Sequence, residues 1–144
     1  AHLYYQRKAG LSQLVEAASG EDAKKVLATA VTPYWETHYT FGSTSVRNDK
    51  NLSPFSLNLL CINTVVPILF AYGRHRGEEK YCDRAFDFLE QLRPENNYII
   101  RLWQQCGLVV DNAGDSQALI QLKKEYCDKK ECLRCRFGYE YLKL

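Results

Sequence analysis

The sequence predicts an all-α protein: a single compact helical bundle of about seven or eight helices with a kinked central apolar helix. Three observations carry this. Apolar residues recur at helical spacing nearly throughout, and no segment sustains the apolar/polar alternation of a half-buried strand. Ser or Thr followed by Pro opens successive segments, and glycines close them. One apolar stretch, residues 57–72, stands at the middle of the chain and carries Pro67. With 144 residues, 46% apolar and 25% charged, the chain has the composition of a globular domain able to fold without disulfide staples.

The elements follow in order. Periodicity predicts a first helix over 3–18, closed at Ser19-Gly20, with Gly20 suited to a left-handed cap. A second helix covers 21–30. Thr32-Pro33 opens a short third helix carrying Tyr34, Trp35, His38 and Tyr39. Residues 41–51 are crowded with Gly, Ser, Thr, Asn and Asp and read as a loop. Ser53-Pro54 opens the long apolar helix to about Gly73. Pro67 within it removes a backbone donor and clashes with the preceding turn, so a kink or split is expected there. Residues 78–92 form the cleanest amphipathic helix, with Tyr81, Ala85, Phe88, Leu89 and Leu92 on one face. Arg93-Pro94 separates it from a helix over 95–106 that Gly107 ends. Asp111 to Gly114 is a turn, and Asp115 or Ser116 caps a helix to Tyr126. The tail from Phe137 to Leu144 is expected to form a short helix packing Tyr139, Tyr141 and Leu142.

Charge and length exclude several classes. The net charge is +2 and the pI is about 8.2. A domain pI above about 9 is the usual footprint of binding nucleic acid by field alone. The apolar stretch 57–72 holds two asparagines and a proline and falls short of the roughly 20 residues that span a bilayer. It is expected to be a buried central helix, with no membrane contact. The start of the chain has no apolar leader, and methionine is absent throughout. A C-terminal fragment of a longer protein is therefore expected, working in a reducing cytoplasm.

The one constellation with chemistry is the cysteine hook at 127–135, where Cys127, Cys132 and Cys135 are spaced C-x4-C-x2-C. Thiolates bind zinc tetrahedrally, and closely spaced pairs supply two ligands from one turn. The same donors hold iron–sulfur clusters, and this spacing matches the first three ligands of plant-type ferredoxins. A fourth ligand would come from Cys61, Cys82, Cys106 or His75. The competing readings are three packing thiols, or a redox-active C-x2-C. Elsewhere, Trp35 and His38 stand one helical turn apart and would line one pocket, or else form a core tryptophan with a hydrogen-bonded histidine. Arg74-His75-Arg76 suits the negative end of a helix. No nucleotide, metalloprotease or serine-hydrolase motif is present.

Several strings taken together carry a resemblance. They are Tyr34-Trp35-Glu36-Thr37-His38-Tyr39-Thr40-Phe41-Gly42, the run from Asn63 to Arg74, the run from Asp115 to Leu122, and the cysteine segment closing at Phe137-Gly138. The combination resembles the C-terminal part of an uncharacterised bacterial family, a domain of unknown function. The resemblance implies longer members with a further region before this one, and no transferable activity.

The expectation is therefore a non-catalytic helical accessory or interaction domain of a larger bacterial protein. Its partner would be the missing N-terminal region or another protein, and Cys127, Cys132 and Cys135 would form a structural metal site for zinc or an Fe–S cluster. The alternative is a zinc or Fe–S module associated with nucleic acid through Lys123, Lys124, Lys129, Lys130, Arg134 and Arg136. A thiol-redox protein is the third class.

Overall fold

A computed structural model describes residues 11–142. The chain divides into two compact units, Ala1–Phe88 and Leu89–Leu144. Helices dominate both, so the helical class stands. The described residues also hold a two-stranded antiparallel ribbon that periodicity did not foresee.

In the first unit, α1 (Leu11–Glu16) and α2 (Gly20–Leu27) precede a single turn, α3 (Pro33–Glu36). The predicted helix over 3–18 is seen only from Leu11, and its earlier part lies outside the described residues. Ser19 caps α2 by accepting from the Asp22 amide, while its hydroxyl donates to the Asp22 carboxylate. Each partner satisfies a group the other leaves open. Gly20 therefore opens α2 rather than closing α1 in a left-handed cap. The expected helix through Tyr39 stops at Glu36. Strands β1 (His38–Thr40) and β2 (Ser43–Thr44) follow, paired through an irregular register. Gly42, with φ of 76°, makes their turn, a conformation that glycine adopts without a Cβ penalty.

The long apolar helix is built from α4 (Pro54–Leu60), a π turn (Cys61–Val65) and α5 (Val66–Arg76). Ser53 caps it by accepting from the Ser56 amide at 3.1 Å. The break expected at Pro67 takes the form of this π turn. One extra residue in the preceding turn moves backbone away from the proline ring, and the missing N–H falls where the bonding pattern changes. The run then continues past Gly73 to a left-handed cap at Gly77. The combined helix has 23 residues, about 34 Å at 1.5 Å per residue. The expectation that it is too short for a bilayer is corrected: by length and composition it could cross one. Cys61, Ile62, Val65, Val66, Leu69 and Gly73 form its buried face, which packs on α1 and α2. Asn63, Thr64, Arg74 and His75 are exposed.

Of the face predicted for helix α6 (Glu79–Gln91), Ala85 and Phe88 are buried and Tyr81 and Leu89 half-buried, and Cys82, which the spacing did not single out, is buried with them. Gly73 sits inside α5 because a Cβ there would come within 2.9 Å of Cys82 Sγ and 3.0 Å of the Cys82 backbone nitrogen. Arg84 donates to the carbonyls of Val15 and Ala17, satisfying the open end of α1.

The second unit contains α7 (Tyr98–Gln105), α8 (Ala113–Leu122), a second π turn (Lys123–Cys127) and α9 (Arg136–Leu142). Two predicted starts move. Helix α7 begins at Tyr98 instead of residue 95 because Asn97 caps it, accepting from the Ile100 amide. Helix α8 is capped by Asn112, with neither Asp115 nor Ser116 in that role. Asn112 accepts from the Asp115 amide, and the Asp115 carboxylate reaches back to the Asp111 amide. Ser116 is then free to be buried, donating to the Ala113 carbonyl and accepting from the Glu95 amide. The core of this unit includes Leu92, Ile99, Ile100, Val110 and Ala113. The packing expected for the tail is corrected: Tyr139, Tyr141 and Leu142 are all exposed. Residues 143 and 144 lie outside the described residues.

Candidate functional site

The cysteine hook is held by backbone geometry on both sides. At its start, the π turn after α8 widens the helix, and the Asp128 amide donates to the Lys123 carbonyl. The Glu131 amide donates back to Tyr126, and Lys130 between them adopts φ of 56°, which reverses the chain. At its end, the Cys135 amide donates to the carbonyls of Glu131 and Cys132, and the Tyr139 amide donates to Cys135 at 2.7 Å. Gly138 locks the closure. A Cβ at that position would lie 2.4 Å from the Cys132 carbonyl oxygen, which no side chain tolerates.

This folding brings Cys127, Cys132 and Cys135 onto the wall of one cavity of about 250 Å³. The rest of the wall is apolar, drawn from Trp103, Leu108, Leu119, Leu122, Tyr126 and Phe137. Trp103 donates its indole N–H to the Leu119 carbonyl at 3.1 Å. That bond removes the ring's only polar group from the cavity and ties α7 to α8. Cys135 is buried, whereas Cys127 and Cys132 are exposed overall. All six cysteines are free thiols. Burial pushes the Cys127 thiol above its ordinary range. The neighbouring Cys135 and Cys132, and then Asp128, push it the same way, while Lys123 opposes them. Thiolates are the metal ligands and nucleophiles, so Cys127 as it stands is biased toward the protonated form.

The three predicted hook residues therefore share one cavity. Among the described residues, no three His, Cys, Asp or Glu side chains are grouped closely enough to hold a single metal ion. Of the proposed fourth ligands, Cys61, Cys82 and His75 belong to the first unit. Cys106 is exposed at the end of α7 and is not part of the cavity wall. The flanking basic residues are largely engaged locally. Lys123 pairs with Asp128, Lys129 with Glu125, Arg134 with Glu131 and Arg136 with Glu140.

In the aromatic segment of the first unit α3 ends before His38, so Trp35 and His38 do not stand one helical turn apart on a shared helix. The His38 ring instead stacks on Tyr34 at 4.0 Å, and its Nδ1 lies 2.8 Å from the Tyr34 carbonyl. Trp35 packs edge-on against Tyr34 and Phe41. Glu36 pairs with Arg47. Lys50 donates to the His38 carbonyl and lies 3.5 Å from the centre of the Tyr39 ring. These contacts pin the β1–β2 ribbon.

Sequence reasoning missed most of the cavity wall. Trp103 and Leu119 line it from two helices, a meeting that their helical spacing does not encode. Gly138 carried a readable signal, a glycine three residues after the last cysteine.

A family model described as a protein of unknown function, DUF2851, matches residues 1–98. The matched span takes in the strings at 34–42 and 63–74, while the α8 string and the cysteine hook lie beyond it. No curated protein matches the chain, and no solved structure does.

Proposed function

The chain belongs to the DUF2851 family of unknown function, and we propose that it serves as a non-catalytic helical accessory domain of a larger bacterial protein, with a structural soft-metal centre at Cys127, Cys132 and Cys135. The observation that carries this reading is the placing of three free thiols on one apolar cavity. Thiolates are the soft donors that select zinc, copper(I) and iron–sulfur centres over harder cations. Ligation draws protons off the thiols, so the binding energy also holds the hook and α9 together.

Two further features support the accessory role. Phe137, Tyr139, Tyr141 and Leu142 are exposed on a short terminal helix, a surface suited to burial against the rest of a longer protein or against a partner. In the first unit, Glu36 and His38 are committed to Arg47 and the Tyr34 carbonyl, an arrangement that maintains the ribbon rather than serving acid–base work. Six free thiols fit a reducing compartment such as the cytoplasm.

The test is elemental analysis of the anaerobically purified chain, with a melting curve taken before and after chelation. Stoichiometric zinc or iron, and a lower Tm after chelation, are expected. A metal-free protein whose melting ignores the chelator would overturn the reading.

A further inference from the structure

Two of the hook thiols share a backbone turn as well as a cavity wall. The Cys135 amide donates to the Cys132 carbonyl at 3.3 Å. A bond of that kind closes a four-residue turn and brings its first and last Cα atoms within about 7 Å. A disulfide bridges Cα atoms about 4.4–6.8 Å apart. Both side chains line the same cavity, so they leave the turn toward a common space. Cys127 stands outside this turn, before the chain reversal at Lys130.

We infer that Cys132 and Cys135 form a modification site, a dithiol that closes to a disulfide by exchange with a low-molecular-weight disulfide such as glutathione disulfide, and that closure withdraws the hook from metal binding. The pairing stands on the turn alone, whereas its consequence for metal rests on the reading above.

The turn is held at both ends before any bond forms. Gly138 of α9 packs against its first residue, where a Cβ would lie 3.0 Å from the Cys132 Cα. Its last residue leads directly into α9, and the Cys135 carbonyl accepts the Tyr139 amide at 2.7 Å. Closure therefore needs side-chain rotation without rebuilding of the hook, while it removes two of the three soft donors.

Exposure divides the roles. Cys132 is exposed and Cys135 is buried, so the Cys132 thiolate makes the first attack, on one sulfur of glutathione disulfide. The sulfur–sulfur bond of that molecule breaks, one glutathione leaves as its thiol, and Cys132 carries the other as a mixed disulfide. The Cys135 thiolate then attacks the Cys132 sulfur. The Cys132–Cys135 bond forms, the mixed disulfide breaks, and the second glutathione leaves. Two protein thiols are oxidised, one glutathione disulfide is reduced to two thiols, and the two protein thiol protons end on them.

The experiment equilibrates the full chain, reduced and metal-free, in a series of glutathione and glutathione disulfide mixtures, with and without saturating zinc. Samples are quenched with iodoacetamide and run on a non-reducing gel, and the monomer band is digested with trypsin. Cleavage after Lys130, Arg134 and Arg136 places Cys132 on the peptide 131–134 and Cys135 on 135–136, so their disulfide leaves these two peptides joined. That joined pair is expected in the metal-free chain, with two of the six thiols lost to alkylation. Zinc is expected to shift the pair to more oxidising mixtures. Cys135→Ser should stop at glutathione on Cys132, while Cys127→Ser and Cys106→Ser keep the joined pair. Far-UV circular dichroism of each variant establishes that it is folded. Alkylation of both Cys132 and Cys135 in every mixture, or bonds from either to Cys127, Cys106 or a second chain in place of the joined pair, would overturn the pairing and leave the metal reading standing. A joined pair that forms equally with and without zinc would keep the pairing and overturn the control of metal binding.

Discussion

Cys61 is wholly buried in the first unit with its thiol directed at the Gly20 carbonyl, and Cys82 packs against Gly73 with its thiol directed at the Phe70 carbonyl. Cys127, Cys132 and Cys135 instead stand on the wall of a void. The residue type is the same, but the surroundings differ. At Cys61 a small polarizable side chain fills the space between closely packed helices, while Cys82 stands alone among the thiols on the wall of a first-unit pocket of about 370 Å³. In the second unit, three such side chains line one cavity together. What sets the second unit apart is the gathering of three thiols on one wall.

The comparison is broken most directly by emptying the first core. Leu69→Ala removes a buried side chain from α5 and is expected to cost about 2–5 kcal/mol. Denaturant unfolding measures this, and the cavity of the second unit should keep its metal. If Leu69→Ala alone removed the metal, the two groups of thiols would not be independent.

Gly138→Ala is next. The Cys132 carbonyl cannot accept a Cβ at 2.4 Å, so the hook must shift, at about 1–3 kcal/mol. Unlike Leu69→Ala, this change should abolish metal binding. Full metal content in Gly138→Ala would show that the closure of α9 on the hook is irrelevant to the site.

The Cys61 thiol supplies a pH test. Burial raises it from 9.0 to about 11. The unfolded chain then loses its proton first as pH rises, so the stabilising contribution is intact below pH 9 and declines between pH 9 and about 11. The loss is up to about 2–3 kcal/mol. Cys61→Ala should flatten that part of the stability profile relative to the native chain. An unchanged slope would mean that the buried thiol does not titrate as its packing requires.

The smallest effect belongs to the exposed hook thiols. Without metal, Cys132→Ser should change stability by no more than about 0.5 kcal/mol, because Cys132 is exposed. With metal it should lower the Tm. A large loss in the metal-free protein would place Cys132 with Cys61, as a packing residue.

The helices were legible because their signals are local. Ser53-Pro54 opened α4 as expected, and the spacing of Ala85 and Phe88 marked the buried face of α6. Competing local signals were less legible. Four polar residues between Asp111 and Ser116 can each cap a helix, and only the reciprocal bonds of Asn112 and Asp115 decide among them. Tyr34 to Tyr39 read as one helix, although the chain turns into a ribbon after Glu36. That turn depends on Tyr34 stacking with His38 and accepting the Gly42 amide, contacts that no periodicity encodes.

The residues alone determined the helical class, the break at Pro67 and the clustering of three thiols within one short segment. Each depends on atoms a few bonds apart, where sterics and hydrogen-bonding capacity act without knowledge of the rest of the chain. Tertiary structure alone decided that the thiols face a shared void. A void is the space that Trp103, Leu119 and Phe137 leave unfilled when they meet from distant points in the sequence, and unfilled space has no letter in it.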